Sequence, residues 1–242
     1  MKRTSTPLIA TTILILIHSL LFGRMSDNPM QTPCLPCEEL TNLELPDIAI
    51  TQASLEEEPV AHCKVVGRIG SEINFELLLP QDWNGRFAMG GGGGFVGSIQ
   101  NIANKSISKG YATAGTDTGH QGNGIRADWA LNNMERQVNF GHLAVHRTAI
   151  VSKVIISQFY CAKPEYSYFV GCSRGGGQAM MEAQRYPDDF DGIVTGAPAF
   201  NWPAFGAEFI QNIKAIYPNP DRLNDPVITA DNLKLLQSLI LD

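Results

Sequence analysis

A serine among glycines is the feature of this sequence that most directly predicts chemistry. Residues 171–175, GCSRG, match the pattern G-x-S-x-G around Ser173. They follow the apolar residues 166–170 and precede a run of helix-forming residues, which is the strand-turn-helix setting that a nucleophile elbow requires. Backbones crowd one another in such a turn, so glycines are needed beside the serine. The pattern predicts that Ser173 is a catalytic nucleophile.

Two stretches of backbone could stabilise an oxyanion beside that serine. In nucleophile elbows one N–H comes from the residue after the nucleophile, here Arg174, and another from a loop after an earlier strand. Residues 90–94 are consecutive glycines that follow a predicted strand at 86–89. Because glycine lets a backbone approach a ligand closely, we expect this loop to supply the second N–H.

The same glycines also fit a different chemistry. Residues 92–97, GGGFVG, match G-x-G-x-x-G after a strand, and Asp117 follows at about the 20-residue spacing of a ribose-binding carboxylate. A dinucleotide-binding oxidoreductase is therefore an alternative function.

The elements that must position these groups alternate between strand and helix from residue 61 onward. The patterns predict strands at 65–66, 75–79, 86–89, 111–115, 166–170 and 193–194, and helices at 99–109, 140–160 and 176–186. Such alternation predicts an α/β domain over 61–242 with a mainly parallel sheet and flanking helices. Residues 24–60 are rich in proline and acidic residues, which predicts an N-terminal arm with little regular structure.

Composition and charge narrow the class of protein. The chain of 242 residues is 44% hydrophobic and 17% charged, which is typical of a globular protein. Its net charge of −6 gives no basic excess. We therefore expect a small-molecule substrate and neither nucleic acid nor an anionic membrane as the main partner.

The N-terminus predicts export. Lys2 and Arg3 precede the apolar residues 8–22, as in a secretory signal peptide over residues 1–23. An uncleaved membrane anchor is the alternative, although the run falls short of the ~20 residues that comfortably span a bilayer. Either way we expect a secreted, periplasmic or extracellular protein, which disfavours a soluble dinucleotide cofactor.

In an oxidising compartment the default state of cysteine is the disulfide. The chain has five cysteines, an odd number, so at least one lacks a partner here. Cys34 and Cys37 form a C-x-x-C pair, but a zinc site would need a second ligand pair, and only His62 and Cys63 are near in sequence. We expect no metal site in these residues.

Several segments together resemble the tannase/feruloyl esterase family, which also contains mono(2-hydroxyethyl) terephthalate hydrolase. The resemblance rests on WNGRF at 83–87, the glycine run, TDTGH at 116–120, GCSRGG at 171–176, EAQRYP at 182–187 and FDGIV at 190–194. It implies a serine carboxylesterase of the α/β-hydrolase fold, with a lid, that cleaves feruloyl, galloyl or terephthaloyl esters.

The resemblance also assigns roles to individual residues. It implies that Ser173 is the nucleophile and that the backbone N–H groups of Gly94 and Arg174 bind the oxyanion. Some relatives have a smaller or acidic residue at the position of Arg174, whose side chain we expect near the pocket. It further implies a Cys37–Cys63 disulfide, and for Cys172 a bond to a cysteine beside the catalytic histidine. Cys34 and Cys161 match nothing in the family pattern.

The order of the catalytic triad raises a question of chain length. On this fold the serine precedes the acid and then the histidine. The histidines His18, His62, His120, His142 and His146 all precede Ser173. We therefore expect that this chain is the N-terminal part of such an enzyme. The catalytic Asp and His, the partner of Cys172, most of the lid and its calcium loop would then come later.

Other polar groups receive lesser roles. Asp117 and His120 are candidate pocket residues, with His120 as a substitute base. His142 and His146 have i, i+4 spacing on a predicted helix and are expected to pack at the surface. Three acids after the elbow helix are expected in a solvated loop: Asp188, Asp189 and Asp191. Catalysis itself would need no cofactor. An exported, non-catalytic binding module of the same fold is a further alternative.

Overall fold

The computed structural model describes residues 30–241, and the predicted signal peptide at 1–23 lies outside them. A seven-stranded sheet forms the centre of the structure, with the strand order β1-β2-β3-β5-β4-β6-β7. The strands are β1 (Ile48–Glu56), β2 (His62–Ile69), β3 (Ile73–Pro80), β4 (Arg86–Gly90), β5 (Ala112–Thr116), β6 (Tyr166–Cys172) and β7 (Gly192–Gly196).

The sheet is mixed, with antiparallel pairing in one half and parallel pairing in the other. β1 to β3 are joined antiparallel, and β3 also pairs antiparallel with β5. β4 pairs parallel with both β5 and β6, and β6 pairs parallel with β7. All strands except β1 and β3 therefore point the same way. Their carboxyl ends meet at one edge, where a site is expected in such sheets.

The first three helices lie in the connections between β5 and β7, and the last two follow β7. They are α1 (Met134–Val138), α2 (Ala144–Tyr160), α3 (Arg174–Arg185), α4 (Trp202–Ile216) and α5 (Ala230–Leu241), with a π-helical segment at Asn139–Leu143. α2 packs on β5 and β3, and α3 packs on β6 and β7. Within residues 30–241, no helix combines the length and hydrophobicity needed to cross a bilayer.

The N-terminal arm is more regular than its composition predicts, which corrects the expectation for 24–60. It contains a 3₁₀ turn at Cys37–Asn42 and the whole of β1, which pairs with β2 along its length. In β1, Ile48, Ile50 and Ala53 pack against the core while intervening residues stay exposed. This pairing depends on β2, which lies farther along the chain, so the proline-rich composition obscured it.

The predicted helix at 99–109 is also wrong over its first half. Only a 3₁₀ turn at Asn104–Lys109 forms, and it ends at Gly110 with φ 80°. The Asn101 side chain accepts a hydrogen bond from the Ala103 N–H and donates one to Thr113 on β5. An asparagine that bonds to nearby backbone in this way competes with helix formation.

Two disulfides connect the arm to the domain. Cys37 and Cys63 form the pair that the resemblance implies, with an S–S distance of 2.03 Å. Cys34 and Cys161, which the sequence left unplaced, form the second bond across 127 residues. Cys161 directly follows the last residue of α2, so this bond fixes the start of the arm to the end of that helix.

Candidate active site

Ser173 occupies the sharp turn between β6 and α3. Its backbone has φ 59° and ψ −118°, a conformation that is costly for a residue with a Cβ and occurs mostly at functional sites. The Ser173 N–H donates to the Gly196 carbonyl at 3.0 Å, and the Ser173 carbonyl accepts from the N–H groups of Gly177 and Ala199. These bonds hold the turn, and the residue remains exposed.

The glycines around Ser173 are sterically required. A Cβ at Gly171 would lie 1.9 Å from the Gly175 carbonyl oxygen, and one at Gly176 would lie 2.4 Å from the Gly196 oxygen. Both contacts are with backbone, which cannot move aside without opening the turn. Gly171 of the G-x-S-x-G pattern and Gly176 directly after the pattern therefore permit the elbow.

The glycine run 90–94 packs against the start of α3. A Cβ at Gly91 would lie 2.8 Å from the Cα of Gly175, so the loop and the elbow helix are in direct contact. Gly94 has φ +57°, and a Cβ there would lie 2.4 Å from the Gly124 carbonyl oxygen. The run thus brings a second stretch of backbone close to the turn that holds Ser173.

Hydrogen bonding distinguishes Gly94 from the other glycines of the run. The N–H groups of Gly91, Gly92 and Gly93 donate to the Val170 carbonyl and to the side-chain oxygens of Gln178 and Gln100, at 2.8–3.0 Å. Among the bonds of the described chain, the N–H groups of Gly94 and Arg174 donate to no protein acceptor. These are the two groups that the resemblance assigns to the oxyanion.

The Arg174 side chain points into the protein, and its residue is 5% exposed. Its guanidinium lies 4.3 Å from the centroid of the Phe140 ring and donates to the Phe140 carbonyl at 2.6 Å. Burial lowers the pKa of Arg174 to about 10. Through this side chain the start of α3 is attached to the π-helical segment.

Aromatic rings gather beside the glycine loop. Phe95, the residue after Gly94, stacks on Trp202 with ring centroids 5.8 Å apart and lies 6.1 Å from the ring of Phe140. Trp129 lies 5.1 Å from Phe140 on another side of the same group. Offset and edge contacts of this kind stabilise aromatic clusters.

Asp117 holds its own loop together. Its carboxylate accepts hydrogen bonds from the N–H groups of Asn74 and Gly119 and from the side-chain amides of Asn74 and Gln121. A carboxylate offers about four lone-pair sites. Since all of these are used within the protein, the group has none left for a ribose hydroxyl, which disfavours the dinucleotide alternative.

His120 is fully buried and stacks on Trp129, with ring centroids 3.6 Å apart. Burial lowers the pKa of His120, and the nearby charge of Asp117 acts in the opposite direction. Neither ring nitrogen has a hydrogen-bond partner of normal geometry. Within residues 30–241, no histidine side chain forms a hydrogen bond to Ser173.

The remaining sequence candidates have other surroundings, except that Cys172 directly precedes Ser173. His62 is buried and bonds through Nδ1 to the Val60 carbonyl at 2.8 Å. Cys172 is exposed and is the free thiol of the described residues. Asp191 accepts a bond from the Ser167 N–H, while Asp188 is exposed.

Asp189 corrects the expectation of a solvated acidic loop. It is 9% exposed and bonds to His146 at 2.6 Å. His146 stacks on Tyr186, and His142 bonds to the hydroxyl of the same tyrosine. The i, i+4 spacing indicated that the two histidines share a helix face. It did not indicate the acidic partner of His146, because Asp189 lies 43 residues farther along the chain.

A largely parallel sheet, a strained serine turn at the carboxyl end of a strand, and a glycine loop from an earlier strand together define the α/β-hydrolase fold. The family model for tannase and feruloyl esterase matches residues 58–242. The chain therefore belongs to the tannase and feruloyl esterase family.

Individual relatives agree with this assignment. The chain is 48% identical over 140 residues to a probable feruloyl esterase of Arthroderma benhamiae, covering 55% of this chain and 26% of that protein. It is 35% identical over 175 residues to feruloyl esterase B of Aspergillus niger, covering 68% and 33% of the two chains. The chain thus matches only a third or less of the length of these relatives.

A solved structure shows the same fold. Feruloyl esterase B from Aspergillus oryzae superposes with a TM-score of 0.68 at 28% identity, covering 76% of this chain and 41% of that one.

Proposed function

We propose that this chain is the nucleophile-bearing part of a secreted serine carboxylesterase that hydrolyses esters of aromatic acids of the feruloyl, galloyl or terephthaloyl type. The proposal rests chiefly on one observation. Ser173 sits exposed in a strained turn, and backbone N–H groups without protein acceptors occur both directly after it and in the adjoining glycine loop.

The proposed reaction is a double displacement. The Ser173 hydroxyl attacks the ester carbonyl carbon while a histidine takes its proton, and the oxyanion is bound by the N–H groups of Gly94 and Arg174. The alcohol then leaves with that proton, and water hydrolyses the acyl-enzyme by the same route. The positive end of the α3 dipole lies at the oxyanion site and adds to its stabilisation.

The acid and the base of the triad are proposed to come from further chain. His120 is stacked beneath Trp129, and Asp117 is fully hydrogen-bonded within its loop. Neither is therefore poised to activate Ser173. The matched relatives are about three to four times as long as the aligned segments, which leaves ample chain for both groups.

The substrate class is supported by two observations. Relatives are named feruloyl esterases, and the family model covers tannases as well. In this chain, Phe95 and its aromatic neighbours lie directly beside Gly94, where an aromatic acyl group could stack. Neither the proposed chemistry nor this contact requires a cofactor.

Export is proposed on the state of the cysteines. Two disulfides join segments that are far apart in the chain, as in proteins of oxidising compartments. Reducing conditions should therefore destabilise this protein, whereas they would not destabilise an enzyme of the reducing cytosol.

The test is hydrolysis of methyl ferulate and methyl gallate by the purified chain and by Ser173→Ala. We expect weak turnover from the 242-residue chain and full turnover when the coding sequence beyond codon 242 is included, both lost in the variant. Full Ser173-dependent turnover without further chain would overturn the proposed source of the base and point to His120. Saturable NAD binding would favour the oxidoreductase, and no turnover by the extended protein would favour a binding module.

A further inference from the structure

A second group of chemically active side chains lies where α2, α3 and the loop after α3 meet. His146 comes from α2, Glu182 from α3 and Asp189 from the loop. Each offers one nitrogen or oxygen atom, and these atoms all lie within 4.8 Å of one another. None of the three belongs to the proposed esterase machinery.

The two carboxyl groups of this cluster are buried. Glu182 is 1% exposed, and its Oε2 has no hydrogen-bond partner. Asp189 is 9% exposed and bonds through Oδ2 to Nδ1 of His146 at 2.6 Å. Neighbouring carboxylates in a buried place repel each other unless a proton or a cation lies between them.

The neighbouring cations do not neutralise these carboxylates by direct contact. The Lys153 ammonium donates to the main-chain carbonyl of Asp189 and lies 5.4 Å from the centroid of the Phe190 ring. Burial lowers the pKa of Lys153. His142 is bonded to the Tyr186 hydroxyl, and Arg185 is exposed. Among the described residues, no Lys or Arg side chain forms an ion pair with either carboxylate.

We propose that His146, Glu182 and Asp189 form a binding site for a divalent transition-metal cation, with Zn²⁺ as the best match. One imidazole nitrogen and two carboxylate oxygens are a donor set that zinc accepts, with a fourth position left for water. The His146 ring is held by stacking on Tyr186, with centroids 3.7 Å apart and planes 9° apart. This stacking restricts the orientation of the imidazole ring.

The site would act as a structural clamp. It joins α2, α3 and the loop that leads into β7, and α3 begins directly after Ser173. A cation bound only to the folded protein raises its stability by mass action. This role is independent of ester hydrolysis, so the site can exist whether or not the proposed function is correct.

A proton is the rival occupant. Two buried carboxyl groups this close together can share a proton instead of a cation. Binding of Zn²⁺ must displace that proton. Calorimetric titration with ZnCl₂ in two buffers of different ionisation enthalpy therefore reports both the cation and the released proton.

We expect saturable binding of one Zn²⁺ per chain, proton release, and a higher unfolding temperature with ZnCl₂ than with EDTA. Glu182→Gln, which keeps the shape of the side chain, should lower the affinity at least about tenfold. Asp188→Asn removes an exposed neighbouring acid and should change nothing. His146→Gln and Asp189→Asn provide second tests should Glu182→Gln fail to fold.

Two results would overturn the proposal. One is the absence of saturable Zn²⁺ binding by the folded chain. The other is equal affinity in the wild type, Glu182→Gln and Asp189→Asn, which would place the ion elsewhere and leave the carboxyl groups joined by a shared proton. Co²⁺ gives an independent check of the donor set. We expect bound Co²⁺ to show the visible absorption that is typical of a low coordination number, and we expect His146→Gln to lose this absorption.

Discussion

The guanidinium of Arg174 lies over the ring of Phe140 at 4.3 Å and donates to the main-chain carbonyl of the same residue at 2.6 Å. Arg174 follows the nucleophile, while Phe140 contacts Phe95 beside Gly94. These contacts connect the two stretches of backbone that are proposed to bind the oxyanion.

Substitution of Arg174 tests this connection. Arg174→Lys keeps the charge but loses the planar stack, so we expect a loss of about 1–3 kcal/mol in the free energy of unfolding. Arg174→Met removes both the buried charge and the free-energy cost of desolvating it, so it should lower the free energy of unfolding by less than Arg174→Lys does. Urea unfolding measures both, and a lysine variant as stable as the wild type would show that the contact with Phe140 contributes nothing.

The glycines of the elbow provide a steric prediction. Gly171→Ala and Gly176→Ala place a methyl group against backbone oxygen, so each should lower stability by about 3 kcal/mol or prevent folding. Gly206→Ala is a matched control inside α4, where a Cβ meets nothing within 4 Å. The control should be neutral or stabilising by up to about 1 kcal/mol. Similar unfolding midpoints for all three variants would contradict the described turn.

The Cys34–Cys161 disulfide should contribute to stability because it closes a loop of 127 residues. We expect the double variant Cys34→Ser with Cys161→Ser to lose about 2–5 kcal/mol in guanidinium unfolding. Cys172→Ser, which breaks no bond within the described residues, is the control. Equal losses in the two proteins would mean that the arm is not held at α2.

Glu182 gives a prediction on pH. Burial and Asp189 raise its folded-state pKa to about 9 from the ordinary value of 4.5, so the folded state binds the extra proton. In EDTA, its contribution to stability is therefore complete below the ordinary pKa and is lost as the pH rises towards 9. The slope is at most about 1.4 kcal/mol per pH unit. Glu182→Gln should remove this slope, and identical pH profiles would show that Glu182 does not titrate this way.

Local patterns predicted the backbone structure around the candidate site. Each feature there is a short continuous segment of sequence: the strand before Ser173, the glycines that the turn requires, and the loop at 90–94. The residue types and spacing within each segment therefore indicated its structure. The Cys37–Cys63 pair came from family resemblance, and the structure contains that bond.

Features that depend on distant residues escaped prediction. β1 is stabilised by pairing with β2, the Cys34–Cys161 bond joins the two ends of a long segment, and the burial of Asp189 depends on His146. Composition alone favoured a loose arm and a solvated acidic loop. The orientation of Arg174 was equally hidden, since its position next to Ser173 says nothing about where a long side chain goes.

The central claim is that Ser173 is an acyl-accepting nucleophile, and detection of its acyl-enzyme tests this most directly. The chain is incubated with p-nitrophenyl ferulate and imidazole as an external base, and the modified residue is located by mass spectrometry. Imidazole also assists deacylation, so the reaction is stopped with acid after a short time; a feruloyl adduct should then be found on Ser173, and it should be absent from Ser173→Ala and from the urea-unfolded chain. A folded chain without an adduct on Ser173, or with equal acylation of the variant, would contradict the account.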